Sequence, residues 1–289
     1  MELAEKVDVI INVYGKPWQT LCTLKSLMLH SGEHIDKIYF IEEREQPYGD
    51  NVKWVLNEFD NIIHYIPNSY EFIPNTKTFG DLNDENNRYN FRYQYGIEKS
   101  DKKYVFVTHN DILYTGDIIG DMLNEIGDSI GCGLIGQCHN CPAKSAGVCN
   151  GDKFNDFKPT YNEVIELCND FPPARGNQFI SMINQNQVMP LPECRLNEFA
   201  CLLKREIVVK ENYLNDEYSF FGDYNGIDLG SSWFRKMILN GYLFKNYDIY
   251  LTGKHGYFAN NAGYPTQLNN QKYIESELNA EKYYKNNLK

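Results

Sequence analysis

Apolar and polar positions alternate between two periods over the first 117 residues. The β-branched run at 7–13 (Val-Asp-Val-Ile-Ile-Asn-Val) predicts a strand that stops at Tyr14-Gly15-Lys16-Pro17. Leu21, Leu24, Leu27 and Met28 then recur at helical spacing across 20–30. A second strand at 38–41 ends in Glu42-Glu43, a helix is expected over 52–59, and a third strand at 62–65. Residues 66–85 are polar and rich in Asn and Pro, the signature of a long loop. A helix is expected over 85–98. The fourth strand, 104–107, runs straight into Thr108-His109-Asn110-Asp111. This β-α-β-α-β order predicts an α/β fold, a mostly parallel Rossmann-like sheet flanked by helices. Ligands bind such sheets beyond the carboxyl ends of the strands. Here those ends carry Tyr14-Gly15, Glu42-Glu43 and His109-Asn110-Asp111.

The second half is less regular. A short helix to about residue 126 precedes a Gly-rich strand at 132–136. Residues 137–190 hold no clear period and are rich in Cys and Pro, so they read as an irregular insertion carrying one helix at 161–168. Regular structure returns at 197–206. A helix is expected over 226–240, closed by Gly241 as a C-terminal cap. Short strands are expected at 242–244 and 249–251, and a polar tail helix at 269–289. With no internal repeat and no Ser/Gly linker, one domain spanning 1–289 is expected.

Charge narrows the function classes. Against 39 Asp+Glu stand 28 Lys+Arg, a net charge of −11. Nonspecific nucleic-acid binding draws on cationic contacts to phosphate and is disfavoured. A nucleotide ligand is still compatible, because a bound divalent cation can supply local positive charge. The apolar runs are far shorter than the roughly 20 residues of a membrane-spanning helix, so no transmembrane segment is expected. Met1-Glu2-Leu3-Ala4-Glu5-Lys6 has neither the basic nor the apolar region of a signal peptide, which points to a cytoplasmic chain. In that compartment the 8 Cys are reduced or metal-bound. Cys138-x2-Cys141-x7-Cys149 has the spacing of a zinc knuckle plus a third thiolate. Cys194, then Cys168, is the candidate fourth ligand of a structural Zn2+, with His139 behind them; free thiols are the other reading. The 22 Tyr fit ring faces for bases and sugars, and equally a Tyr-rich core.

The opening Val9-Ile10-Ile11-Asn12-Val13-Tyr14-Gly15-Lys16-Pro17 resembles the first strand and turn of the family 2-like GT-A glycosyltransferases. Further matches follow in the same order. Gln94-Tyr95-Gly96-Ile97 and Tyr104 to Ile112 resemble the helix and strand leading to that family's D-x-D motif. Arg195 to Glu206 resembles the strand entering the acceptor half. Gly226-Ile227-Asp228-Leu229 resembles the E-D motif, and His255-Gly256 the late histidine beside the donor diphosphate. The resemblance implies a nucleotide-sugar-binding half (1–117), an acceptor half (118–268, with the insertion 137–190) and the helical tail. It implies transfer of a sugar from a UDP-, GDP- or dTDP-sugar to a glycan or glycoconjugate acceptor, as in polysaccharide biosynthesis.

The resemblance also distributes roles. Val13, Tyr14 and Glu42 fall on donor-binding positions, with Glu42 on the nucleoside; a solvated acidic turn is the alternative for Glu42. Asp111 falls on the carboxylate that holds Mn2+ or Mg2+ against the diphosphate, although alone it also fits a helix N-cap. The family's first acid is here His109, a possible second ligand, and Asn110 could bond a ribose hydroxyl. His255 either completes the metal shell or offsets diphosphate charge. An inverting transferase needs a general base, for which Asp228 is the first candidate and Asp223 the second. The His109-Asn110 departure keeps an inactive nucleotide-sugar-binding scaffold open as the alternative function. A nucleotidyltransferase ranks last, because Tyr14-Gly15-Lys16-Pro17 is a poor phosphate loop.

Overall fold

The computed structural model describes residues 5–69, 81–136, 141–212, 229–259 and 269–289. Seven strands form one twisted α/β sheet. They are β1 (Val7–Val13), β2 (Ile35–Glu42), β3 (Ile62–Tyr65), β4 (Tyr104–Thr108), β6 (Gly131–Ile135), β7 (Leu196–Lys204) and β8 (Phe244–Asn246), in the order β3-β2-β1-β4-β7-β6-β8. The pairings of β1 with β2 and β4, of β2 with β3, and of β6 with β8 are parallel; β7 alone runs antiparallel to its neighbours. A separate two-stranded ribbon joins β5 (Ile112–Tyr114) to β9 (Gly253–His255). The mostly parallel Rossmann-like sheet expected from the pattern is the one observed.

Period-two alternation divides the core. Val7, Val9, Ile11 and Val13 of β1 and Phe106 of β4 face one layer, and Ile10, Val105 and Val107 the other. The first layer is covered by α1 (Pro17–Ser31) through Leu21, Leu24 and Leu27, and by α4 (Ile118–Glu125) through Ile118, Ile119 and Met122. Each such side chain contributes about 2 kcal/mol when fully buried. The expected helix over 85–98 is instead two short pieces, α2 (Glu85–Arg88) and α3 (Gln94–Lys99), broken where Tyr93 adopts φ 65°. The helix at 52–59 is a 3₁₀ helix, Lys53–Glu58. Residues 249–251, expected as a strand, are a 3₁₀ turn capped by the Asp248 side chain on the Tyr250 N–H.

The insertion is more ordered than its sequence suggests. It carries α5 (Pro142–Ser145), α6 (Tyr161–Asp170) and α7 (Asn177–Ser181). These roof the second face of the sheet through Ala143, Val164, Cys168 and Phe179, beside Val208 of α8 (Arg205–Asn212) and Trp233 and Phe234 of α9 (Ser231–Leu239). The tail is α10 (Asn270–Asn287), which lies along α1. No helix among the described residues is long and apolar enough to cross a membrane.

One contact of α10 has a consequence for stability. The buried Glu277 carboxylate accepts N–H bonds from Trp18 and Gln19 at the start of α1, yet burial outweighs them and pushes its pKa up to about 7. An acid raised above its unfolded value of 4.5 holds its proton more tightly when folded, so stability is lost as pH rises from about 4.5 to about 7. The Glu277→Gln variant lacks this slope. In urea unfolding at pH 5 and pH 8 its advantage over the parent should grow with pH, by at most roughly 3 kcal/mol; a constant difference would count against a neutral Glu277.

Candidate functional site

The site grows from the end of β4. His109 continues the sheet by donating its backbone N–H to Phe199 O on β7 (2.9 Å), and the chain then turns along α1. There the Ile112 and Tyr114 N–H groups bond to Thr23 Oγ1 and Ser26 Oγ, both at 3.1 Å. A buried helix carries these hydroxyls because the ribbon strand needs acceptors from it. Asp111 is therefore followed by a strand, which removes the N-cap reading. On the other ribbon strand, Gly256 donates to Asp111 O (2.9 Å) and brings His255 over the carboxylate. His255 is the last residue of β9, and strand pairing fixes it.

Asp111 is 3% exposed and holds two kinds of neighbour. Its Oδ2 lies 2.7 Å from the buried Lys16 Nζ. Its Oδ1 lies 3.2 Å from His255 Nε2, but neither of these two atoms makes a hydrogen bond. Burial opposes the carboxylate charge, while Lys16, His255 and His109 together hold its pKa well below the usual range. His109 lies beside His255, with ring centroids 5.4 Å apart, and Phe199 stacks on His255 at 4.4 Å. Burial lowers the His109 pKa against the pull of Glu198, so its imidazole is neutral near pH 7. Glu198 Oε1 is 3.7 Å from His109 Nε2 and its Oε2 3.2 Å from Arg195 Nη1. Burial again opposes the charge, and Arg195 with His109 keeps Glu198 ionised. Arg195 also donates to the carbonyl of Leu229 (3.1 Å), two residues before α9.

His109, Asp111 and His255 offer ligand atoms within 4.8 Å of one another, which suits one metal ion. A divalent cation fits this set, since it would satisfy Oδ1 and Nε2, both buried and without hydrogen bonds. Two imidazoles and one carboxylate suit Mn2+ better than Mg2+, which prefers oxygen ligands alone.

Other expected residues fare differently. Asn110 donates its side-chain amide inward, to Gly15 O (3.0 Å) and Thr20 Oγ1 (3.1 Å), which fastens the start of α1. The Val13 side chain lies in the core, and its carbonyl accepts from the Glu43 N–H (2.9 Å); Tyr14 is half-buried. Glu42 is a buried partner of His64 (2.7 Å) rather than a solvated turn acid. Asp223, Asp228 and Cys138 lie outside the described residues. Cys149 and Cys194 are free thiols, and no three cysteines gather as metal ligands among the described residues. Cys141 and Cys194 pack in the core, and burial pushes the Cys149 thiol up to about 11.

Lys16, Glu198 and Arg195 were not among the expected site residues. Lys16 stands at a strand end, the position the topology marks for ligands. Glu198 interrupts an apolar strand three residues after Arg195, and a charge pair inside a buried strand is itself a site signal.

No protein-family model matches this chain, and a search of curated proteins returns no significant match. Among solved structures the chain is similar to the mannosyltransferase PcManGT from Pyrobaculum calidifontis, in complex with GDP-Man and Mn2+. The TM-score is 0.51 at 10% identity, over 86% of this chain and 56% of that one. This chain thus spans little more than half the length of that protein, and similarity at this identity is one of fold. The architecture described above is shared with that mannosyltransferase.

Proposed function

We propose that the chain is a divalent-cation-assisted glycosyltransferase that moves a sugar from a nucleotide-sugar donor to a glycan or glycoconjugate acceptor. The observation that carries this reading is the His109–Asp111–His255 group at the carboxyl end of β4, with Lys16 beside it. The complex of the similar fold with GDP-Man and Mn2+ supports it and makes GDP-sugars the first donors to try, before UDP- and dTDP-sugars.

When bound, the cation supplies positive charge against the diphosphate leaving group. The chain's own residues do the rest. Asp111 stays ionised and His109 neutral, so both are in ligating form. Phe199 fixes the plane of the His255 ring, and Glu198 holds the His109 ring. The Lys16 ammonium is a second, preorganised charge where negative charge develops. In this reading Asp228 takes the acceptor hydroxyl proton in an inverting displacement.

Calorimetric titration with GDP-, UDP- and dTDP-sugars, with and without Mn2+, tests the reading. We expect one nucleotide to bind at least tenfold more tightly with Mn2+, together with slow donor hydrolysis. Metal-dependent binding without turnover on a panel of acceptors would favour the inactive scaffold, an alternative suggested by the lost first carboxylate. Binding of no nucleotide sugar would overturn both.

A further inference from the structure

Helix α1 begins without a capping side chain of its own. Its N-cap residue is Lys16, in a left-handed conformation (φ 57°, ψ 51°) followed by Pro17. That conformation is unfavourable for a residue with a Cβ. Gly15 before it is left-handed as well (φ 64°), and a Cβ there would lie 2.5 Å from both Pro47 and the Tyr273 hydroxyl. From this turn the Lys16 side chain reaches Asp111.

The partners of the turn come from elsewhere in the chain. Gly15 N–H donates to Gln46 Oε1 (2.6 Å). Lys16 N–H donates to the Tyr273 hydroxyl (2.5 Å), which in turn donates to the Asp50 carboxylate. Trp18 N–H donates to Glu277 Oε2 (2.8 Å), and Gln19 donates to Oε1 through both its backbone N–H (3.3 Å) and its side chain (3.0 Å). The N–H groups at a helix start form an anion cradle. Here the internal Glu277 side chain takes up these donors, so this turn is not available as a phosphate loop. Ala280, Tyr283, Tyr284 and Leu288 hold α10 in place against Cys22, Trp18 and Phe258.

We propose that α10 is a working part of the donor site: Tyr273 and Glu277 are positioning residues that hold the left-handed Lys16 turn and so aim Lys16 at Asp111. The proposal rests on the glycosyltransferase reading for its functional consequence, but not for its structural one. The Glu277→Ala, Glu277→Gln and Tyr273→Phe variants of the whole chain test it by two readouts. Hydrogen exchange of residues 15–20 should accelerate at least tenfold in Glu277→Ala and in Tyr273→Phe, while residues 24–31 keep their protection. Affinity for GDP with Mn2+ should weaken about tenfold in both, and Glu277→Gln, which keeps an acceptor oxygen, should recover most of it.

Uniform loss of protection along α1, or unchanged exchange at 15–20, would overturn the positioning role. So would tighter GDP–Mn2+ binding, which would make α10 an obstruction. If Glu277→Ala does not fold, Tyr273→Phe, which loses one hydroxyl, decides. If the parent protein binds no nucleotide with Mn2+, the glycosyltransferase reading fails, while the exchange data still decide whether α10 holds the turn.

Discussion

Replacing Asp111 with Asn should abolish Mn2+-dependent nucleotide binding, a loss of at least 100-fold in affinity or about 2.7 kcal/mol. The substitution removes the one carboxylate of the His109–Asp111–His255 group and leaves only its two imidazoles, which hold a cation weakly. It also strips Lys16 of its partner. A buried ammonium without its counter-charge costs about 3–5 kcal/mol, so Asp111→Asn alone should be markedly less stable, and lost binding alone would not distinguish metal loss from unfolding. The Lys16→Met/Asp111→Asn double variant, compared with Lys16→Met alone, separates the two effects. An apolar side chain of similar length removes the orphaned charge, and replacing both members of a buried ion pair is often close to neutral. Urea unfolding should show stability largely recovered in the double variant, while calorimetry with Mn2+ and GDP shows no recovery of binding. Parental affinity in the double variant would remove Asp111 from the metal site.

The parts of this molecule that were legible in the sequence are those set by local periodicity. The β-branched runs of β1 and β4 and the leucine spacing of α1 each follow from a single side-chain period, and the strand-end rule then leads to His109 and Asp111. Features created by long-range pairing were not visible. Lys16 and Asp111 are 95 positions apart, and neither residue alone shows that they meet. Tyr93 breaks an otherwise helical stretch beside an aromatic group in which Tyr65 stacks on Tyr95 at 3.8 Å, a tertiary preference with no local signature. The tail read as a solvated helix because the face of α10 that packs on α1 is partly polar: Tyr273, Ser276 and Glu277 are buried at helical spacing with Ala280. Polar residues on a buried stripe disguise a structural helix as a surface one.

Asp228→Asn should have the opposite signature to the metal-site change: parental affinity for nucleotide and Mn2+, but turnover reduced by about two orders of magnitude or more, as loss of a general base commonly gives. The expectation follows a chain of contacts. Arg195 ties the carbonyl of Leu229, the residue after Asp228, to Glu198, which faces His109. The segment that begins α9 is therefore fastened to the polar cluster at the end of β4, and Gly230 (φ 76°) makes the turn into the helix. On the proposed reading the Asp228 carboxylate acts on the acceptor hydroxyl and not on the donor, so its loss should appear in kcat and not in the calorimetric Kd. Near-parental turnover in Asp228→Asn would refute the base assignment and pass the role to Asp223. Reduced nucleotide affinity would place Asp228 on the donor side instead. Read together, the Asp111 and Asp228 variants separate binding from chemistry, and a protein that loses binding with one but has no turnover to lose with the other is a nucleotide-sugar scaffold.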